Sequence, residues 1–255
     1  KKDTVEPIEL PVHTPEPAYT IPTTYNFVNV SYTTSTTRIA MLAEMTGYIR
    51  TTHTTTQTTQ PTLNAQKLKD MYANAASQFT TTGLSSSGLQ LKDQTSNVYS
   101  LQTILEASYD DAATVSVFAA ATPTTQSASS GVAGKLISPS RAILVDANGL
   151  EYKEQTEKGL MGAVLYYQAT TILTNIATYD NTTLVGGTTA QEKAWDEAFG
   201  YFGVPIDFPT NITGLKNWGS YCNSVNTAIG SNVTMMNAWL KGRAAITNKD
   251  NTARD

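Results

Sequence analysis

The chain has 255 residues, 40% of them apolar and only 15% charged, with a formal net charge of −4. That length can bury a sizeable core, and the acidic balance leaves no basic footprint for nucleic acid. No apolar run approaches the ~18 residues of a membrane span, and the lone Cys222 rules out an internal disulfide or a cysteine-based zinc site.

Residues 1–24 read as a tether. Prolines at 7, 11, 15, 17 and 22 alternate with acidic and small polar residues, a density that favours extended polyproline II over helix or central strand. Residues 25–255 are expected to form a single helical domain. Thr36 or Thr37 is placed to cap a first helix running to about Arg50, because Ile39, Leu42, Met45 and Ile49 recur at three- and four-residue steps. The Thr-rich stretch from Thr51 to Thr62 reads as a surface loop. Asn64 can cap a second helix from Ala65 to about Ala75, with Leu68, Met71 and Tyr72 on one face. Thr80 to Gly88 is a Gly/Ser/Thr linker, and a third helix is predicted around Leu101 to Ala121. The only histidines, His13 and His53, lie in Pro- or Thr-rich stretches. A histidine-centred catalytic or metal constellation is therefore hard to build.

Asp146-Ala147-Asn148-Gly149 invites comparison with a calcium loop, but its twelfth position would be Gln155 where a bidentate glutamate is required. Asn148 with Glu151 reads better as a capping box. It would open the longest helix, about Leu150 to Tyr179, apolar on most sides and so expected at the centre of the bundle. Gly159, Gly162 and Ala163 would let a neighbouring helix approach that backbone. A last helical segment runs from about Trp218 to Thr247, with a break near Gly230-Ser231-Asn232. Alternation never persists, so strands are minor and the class is all-α, a helical bundle.

Glu192 to Pro209 is the densest stretch. Trp195, Phe199 and Phe202 fall on one stripe of a helix, which Gly203 and two prolines then stop. As a core anchor, Trp195 would be buried against the Gly159–Tyr167 stretch with its ring nitrogen hydrogen-bonded, and Asp196 would sit towards the flank or surface. As a site, Trp195, Asp196, Glu197 and Tyr201 are the ligand-binding candidates. Glu192 and Asp196, four residues apart on one face, can share a cation and are the metal candidates. Those two with Glu197 would also be the carboxylates of a hydrolase, although Lys193 and Glu197 at the same spacing fit a plain solvated face.

Several phrases together resemble one known family. They are Tyr25-Asn26-Phe27 with Ser31-Tyr32, Thr36 to Leu42, Gln66 to Asn74, Lys158 to Ala163, Trp195 to Val204, and Leu240 to Ile246. The chain resembles an uncharacterised family of Bacteroidetes lipoproteins built on a domain of unknown function. The resemblance implies an imelysin-like helical fold and a place beside TonB-dependent receptors in iron or haem acquisition. It also implies that relatives are longer, so the C-terminal part of the bundle would be missing here. Imelysin-type peptidases carry a Gly-x-His-x-x-Glu motif, and no histidine follows His53, so that peptidase chemistry does not transfer.

Lys1-Lys2-Asp3 resembles the signal that follows the lipidated cysteine in surface-exported Bacteroidetes lipoproteins, and Asp3-Thr4-Val5 resembles an O-glycosylation site at Thr4. The expected function is a non-enzymatic lipoprotein on the outer face of the outer membrane, binding a ligand or partner in iron or haem uptake. A TonB-dependent receptor is the expected partner, and membrane contact would come only through an N-terminal lipid. A structural or adhesive component of an extracellular assembly is the alternative, and a hydrolase using Glu192, Asp196 or Glu197 ranks behind it.

Overall fold

The computed structural model describes residues 18–52, 65–96, 127–132, 134–138, 141–145 and 147–255. The first apolar periodicity forms helix α1, Thr33–Thr52, which buries Ile39, Leu42, Met45 and Ile49 as their spacing requires. It starts ahead of the predicted cap. The Thr36 hydroxyl donates back to the carbonyls of Tyr32 and Thr33, each at 3.2 Å, so Thr36 sits inside the first turn. Helix α2, Ala65–Ala73, buries Leu68, Met71 and Tyr72. The Gly/Ser/Thr linker after it is tied to α1, because the Glu44 carboxylate accepts from the Thr81 N–H at 3.0 Å and the Thr80 hydroxyl at 2.9 Å.

The helix predicted around Leu101–Ala121 lies outside the described residues, as do Thr4 and both histidines. One antiparallel ribbon, β1 Gly134–Ser138 with β2 Arg141–Val145, is the sheet content among the described residues. The other regular elements are helices, so the class is all-α.

The long predicted helix is present but built differently. Helix α3, Tyr152–Leu160, runs into a π-helical segment, Met161–Tyr166, then helix α4, Tyr167–Thr174, and a 3-10 turn, Ile176–Thr178. Glu151 takes the N-cap position, so no Asn148 capping box opens it. The close-approach reading of Gly162 is also corrected: a Cβ built there meets nothing within 4 Å among the described residues.

The central element is helix α5, Ala190–Phe202, which buries ten of its 13 residues. It carries the capping box: the Thr189 side chain accepts from Glu192 N at 3.2 Å, and Glu192 Oε2 accepts from Thr189 N at 2.8 Å. Gly203, at φ 76°, ends it in the left-handed conformation that a side chain would strain. Helix α6, Asn217–Ile229, and helix α7, Ser231–Thr247, form a hairpin about Gly230, where the sequence placed the break; a short helix α8, Asn251–Arg254, follows.

Helix α5 packs against α1, α4 and α7, and two glycines set the separations. A Cβ on Gly200 would lie 2.7 Å from Tyr32 Cβ, and one on Gly242 would lie 2.1 Å from the Trp195 ring. The N-terminal segment closes the bundle. Tyr25 is buried, Ile21 packs on the core, and the Tyr19 hydroxyl donates to Asp250 at 3.0 Å.

These contacts order two substitutions. Gly242→Ala should lose about 1–3 kcal/mol by overpacking Trp195, while Gly162→Ala should gain roughly 0.5–1 kcal/mol by removing helix-interior glycine entropy. Thermal unfolding of both variants checks the signs.

Candidate functional site

Helix α5 presents three faces, each with its own partner. Glu192 and Asp196 point at α7, where Arg243 is 1% exposed. Arg243 Nε donates to Asp196 Oδ1 at 2.8 Å and Nη1 to Glu192 Oε1 at 2.9 Å, the fork geometry that suits a guanidinium. Thr247 donates to Glu192 Oε1 at 2.8 Å, Tyr25 donates to Asp196 Oδ1 at 2.8 Å, and the Phe27 ring lies under the guanidinium at 5.0 Å. The cation that the two carboxylates share is therefore Arg243. No group of three or more His, Cys, Asp or Glu able to hold a metal ion occurs among the described residues.

Burial opposes ionisation at Glu192, yet the Thr189 N–H, Thr247 and Arg243 outweigh it and hold the carboxyl below the usual glutamate range. Desolvation wins at Asp196. It lifts that carboxyl above the ordinary aspartate range despite Arg243, Tyr25 and Ser31. Asp196 is fully buried, where an anchoring Trp195 implied a flank or surface position. Its charge can be buried because Arg243 and two hydrogen-bond donors meet it.

Glu197 and Tyr201 repeat the pattern on the opposite side. Arg38 on α1 reaches Glu197 Oε1 at 3.2 Å and also donates to the Tyr201 hydroxyl. Desolvation pushes the Tyr201 phenol up to about 12.

The third face is aromatic. Trp195 is 8% exposed and its ring nitrogen donates to the Trp239 carbonyl at 3.1 Å. Both that acceptor and Gly242, under the ring, lie on α7, where the sequence pointed to the Gly159–Tyr167 stretch. Trp239 meets Trp195 edge to face at 5.5 Å.

On the far side of Trp239 a cavity of about 430 Å³ opens between α4, α5, α6 and α7, within the size range of small-molecule sites. Tyr201, Phe202, Cys222 and Trp239 form its buried wall, and Tyr166, Tyr221, Val225 and Met235 its exposed rim. The π-helical segment builds one side. Its Met161 carbonyl accepts from Trp218 Nε1 at 3.1 Å and its Ala163 carbonyl from Ser96 N at 2.8 Å, which sets Tyr166 against Trp218 at 5.6 Å. Interruptions of this kind recur at functional sites. Cys222 is a buried thiol whose pKa is raised by desolvation, which leaves it a poor nucleophile.

The cluster and the cavity share α5 but not their residues. Of the site residues read from the sequence, Tyr201 lines the cavity, Trp195 stands behind Trp239, and Glu192, Asp196 and Glu197 are engaged by arginines. Sequence reasoning assigned no site role to Arg243, Tyr25, Trp239, Trp218, Tyr166 or Tyr221. One signal was available: no charged residue occurs between Lys216 and Lys241, which marks the α6–α7 hairpin as an uncharged unit.

Fold and site together define an all-α bundle with an open apolar cavity beside a buried ion-pair cluster. The sequence profile described as Domain of unknown function (DUF4856) matches residues 22–255, and the chain belongs to that family. No curated protein and no solved structure matches it.

The cluster carries a pH signature. Because the folded Glu192 pKa is depressed, its stabilisation is fully present above the ordinary glutamate value of about 4.3 and is lost as pH falls through the folded value. Glu192→Gln removes that titration. The stability gap between wild type and variant should be constant near neutral pH and should close below about pH 4, as measured by urea unfolding across that range.

Proposed function

We propose that this domain is the non-enzymatic ligand-binding part of a cell-surface lipoprotein, and that the apolar cavity between α4, α5, α6 and α7 takes the ligand. The cavity is the observation that carries the reading: it is walled by aromatic rings and nearly free of polar atoms. The resemblance to Bacteroidetes lipoproteins supports a role in iron or haem acquisition at the outer membrane, with an imelysin-like fold and a TonB-dependent receptor as partner. O-glycosylation at Thr4 belongs to the same reading.

Between those two ligands the chemistry favours haem. A free iron ion needs several oxygen or nitrogen ligands in one place, and the carboxylates most able to supply them, Glu192 and Asp196, already bind Arg243. A flat macrocycle needs aromatic walls instead, and Tyr166 and Tyr221 at the mouth carry phenols of the kind that ligate haem iron.

A structural or adhesive role is favoured by one separate feature. Ile229 and Val233, outside the cavity, leave apolar surface exposed along the α6–α7 hairpin, with Ile229 71% exposed, as interaction surfaces do. A hydrolase is the weaker reading, because Glu192 and Asp196 are buried and ion-paired.

Haem titration followed by Soret absorbance and tryptophan quenching tests the proposal. Val225→Lys puts a charge on the cavity rim at a half-exposed position. It should weaken binding at least tenfold, on the order of 1.4 kcal/mol, while stability stays within about 0.5 kcal/mol of wild type. Wild-type protein that takes up neither haem nor any apolar probe would contradict it.

A further inference from the structure

The tip of the α6–α7 hairpin is built unlike an ordinary water-facing surface. No charged residue occurs between Lys216 and Lys241, although solvent-exposed positions are where charged side chains normally collect. The exposed residues from 225 to 238 are Val, Thr, Ala, Ile, Gly, Met and Asn. Ile229 and Val233 flank the Gly230 turn and are 71% and 55% exposed.

Away from that turn the composition changes in steps. At a helical rise of about 1.5 Å per residue, Ile229 and Val233 lie within roughly 5 Å of Gly230 along the hairpin, and Val225 and Met235 within roughly 8 Å. Tyr221 follows at about 13 Å and Trp218 at about 18 Å, with the Tyr166 ring against Trp218. Three exposed lysines stand at and beyond that level. Lys158 Nζ, bonded to Glu157 at 3.0 Å, is 5.5 Å from the Tyr221 ring centre, and Lys216 and Lys241 bound the hairpin at its base. Aliphatic tip, aromatic belt and lysine fringe is the order that matches hydrocarbon, headgroup and water at a membrane surface.

We propose that the hairpin tip is a membrane-contact element that seats in the interface of a lipid bilayer. Ile229, Val233, Val225 and Met235 enter the hydrocarbon edge, the rings lie among the headgroups, and the lysines face lipid phosphates. The seat is shallow. Interfacial segments enter only ~5–10 Å, and no described helix is long and apolar enough to cross a membrane. A bilayer fits this tip better than a protein does. The anchors that dominate protein interfaces are Trp, Tyr and Arg, and none is among the exposed residues from 225 to 238. A two-helix tip is also narrow beside the roughly 800 Å² per partner of a stable protein interface. The folded body thus adds a contact of its own to the N-terminal lipid expected from the sequence. One consequence rests on the cavity being the ligand site. With Tyr221, Val225 and Met235 on the rim, its mouth opens at the bilayer, and an apolar ligand such as haem passes between lipid and protein without crossing water.

Flotation of the full chain with vesicles of phosphatidylcholine and phosphatidylglycerol tests the seat. Wild type should float with the vesicles, and Ile229→Glu/Val233→Glu should lower the bound fraction about tenfold or more. Both positions are exposed and outside the cavity, so the variant should unfold near the wild-type temperature and take up haem from solution unchanged. Ile229→Ser, a milder change, should lower vesicle binding on the order of threefold, and it decides if the double variant does not fold. Wild type that stays in solution would overturn the inference, whatever it does with haem. A variant that floats as well as wild type would overturn it too. A dimer that the double variant separates, without flotation, would assign the tip to a second copy instead. Flotation lost in the variant, with no haem uptake by either protein, would uphold the membrane seat and contradict the cavity reading.

Discussion

The bundle closes on one guanidinium. Arg243, on the last long helix, is buried under Phe27 and bonded to two carboxylates one turn apart on α5. Burying charge is expensive unless each partner is matched, and breaking such a group strands the rest in low dielectric. The cluster therefore acts less as a source of net stability than as a register device. Glu192 and Asp196 fix where α7 lies along α5, Gly242 lets the two helices meet on Trp195, and Tyr25 brings the N-terminal segment onto the same aspartate. Helix α1 docks on the opposite side through Arg38 and Glu197, a partly exposed pair that is worth less.

That division of labour leaves the third face of α5 free of charge. With its carboxylates facing Arg243 and Arg38, the helix turns Ala198, Tyr201 and Phe202 toward α4 and the α6–α7 hairpin. The hairpin brings no charge to meet them, and the π-helical segment gives up the Met161 carbonyl to Trp218. An apolar space bounded by rings is the outcome. Because Trp239 belongs both to this wall and to the aromatic cluster over Trp195, a ligand in the cavity would touch the same helix that Arg243 locks.

The all-α class, the first two helices, the break at Gly230 and the importance of the Glu192–Pro209 stretch were legible in the sequence, because each depends on local spacing or on a capping residue. Long-range matters were not. The four-residue spacing of Glu192 and Asp196 announced a shared cation, but a guanidinium from Arg243, 47 residues on, leaves no local trace. Asn148-Gly149-Leu150-Glu151 imitated a capping box, while of the real one, Thr189–Glu192, only the Glu192 carboxylate was singled out. The glycine pattern around Gly162 misled for a similar reason: small residues permit close approach, and only the fold decides which do so. Gly200 and Gly242 do. The cavity itself was invisible, since aromatic residues at helical spacing look alike whether they face a core or an opening.

A double-mutant cycle across Arg243 and Asp196 tests the central claim most directly. Arg243→Met, Asp196→Leu and the double variant would be compared with wild type by urea unfolding. Arg243→Met should cost about 3–5 kcal/mol by leaving buried carboxylates unmatched, and the double variant should cost clearly less than the two single losses summed, the remainder reflecting Glu192 left without its guanidinium. Single costs that simply add in the double variant, within roughly 0.5 kcal/mol, would contradict the claim that this ion pair sets the register of the bundle.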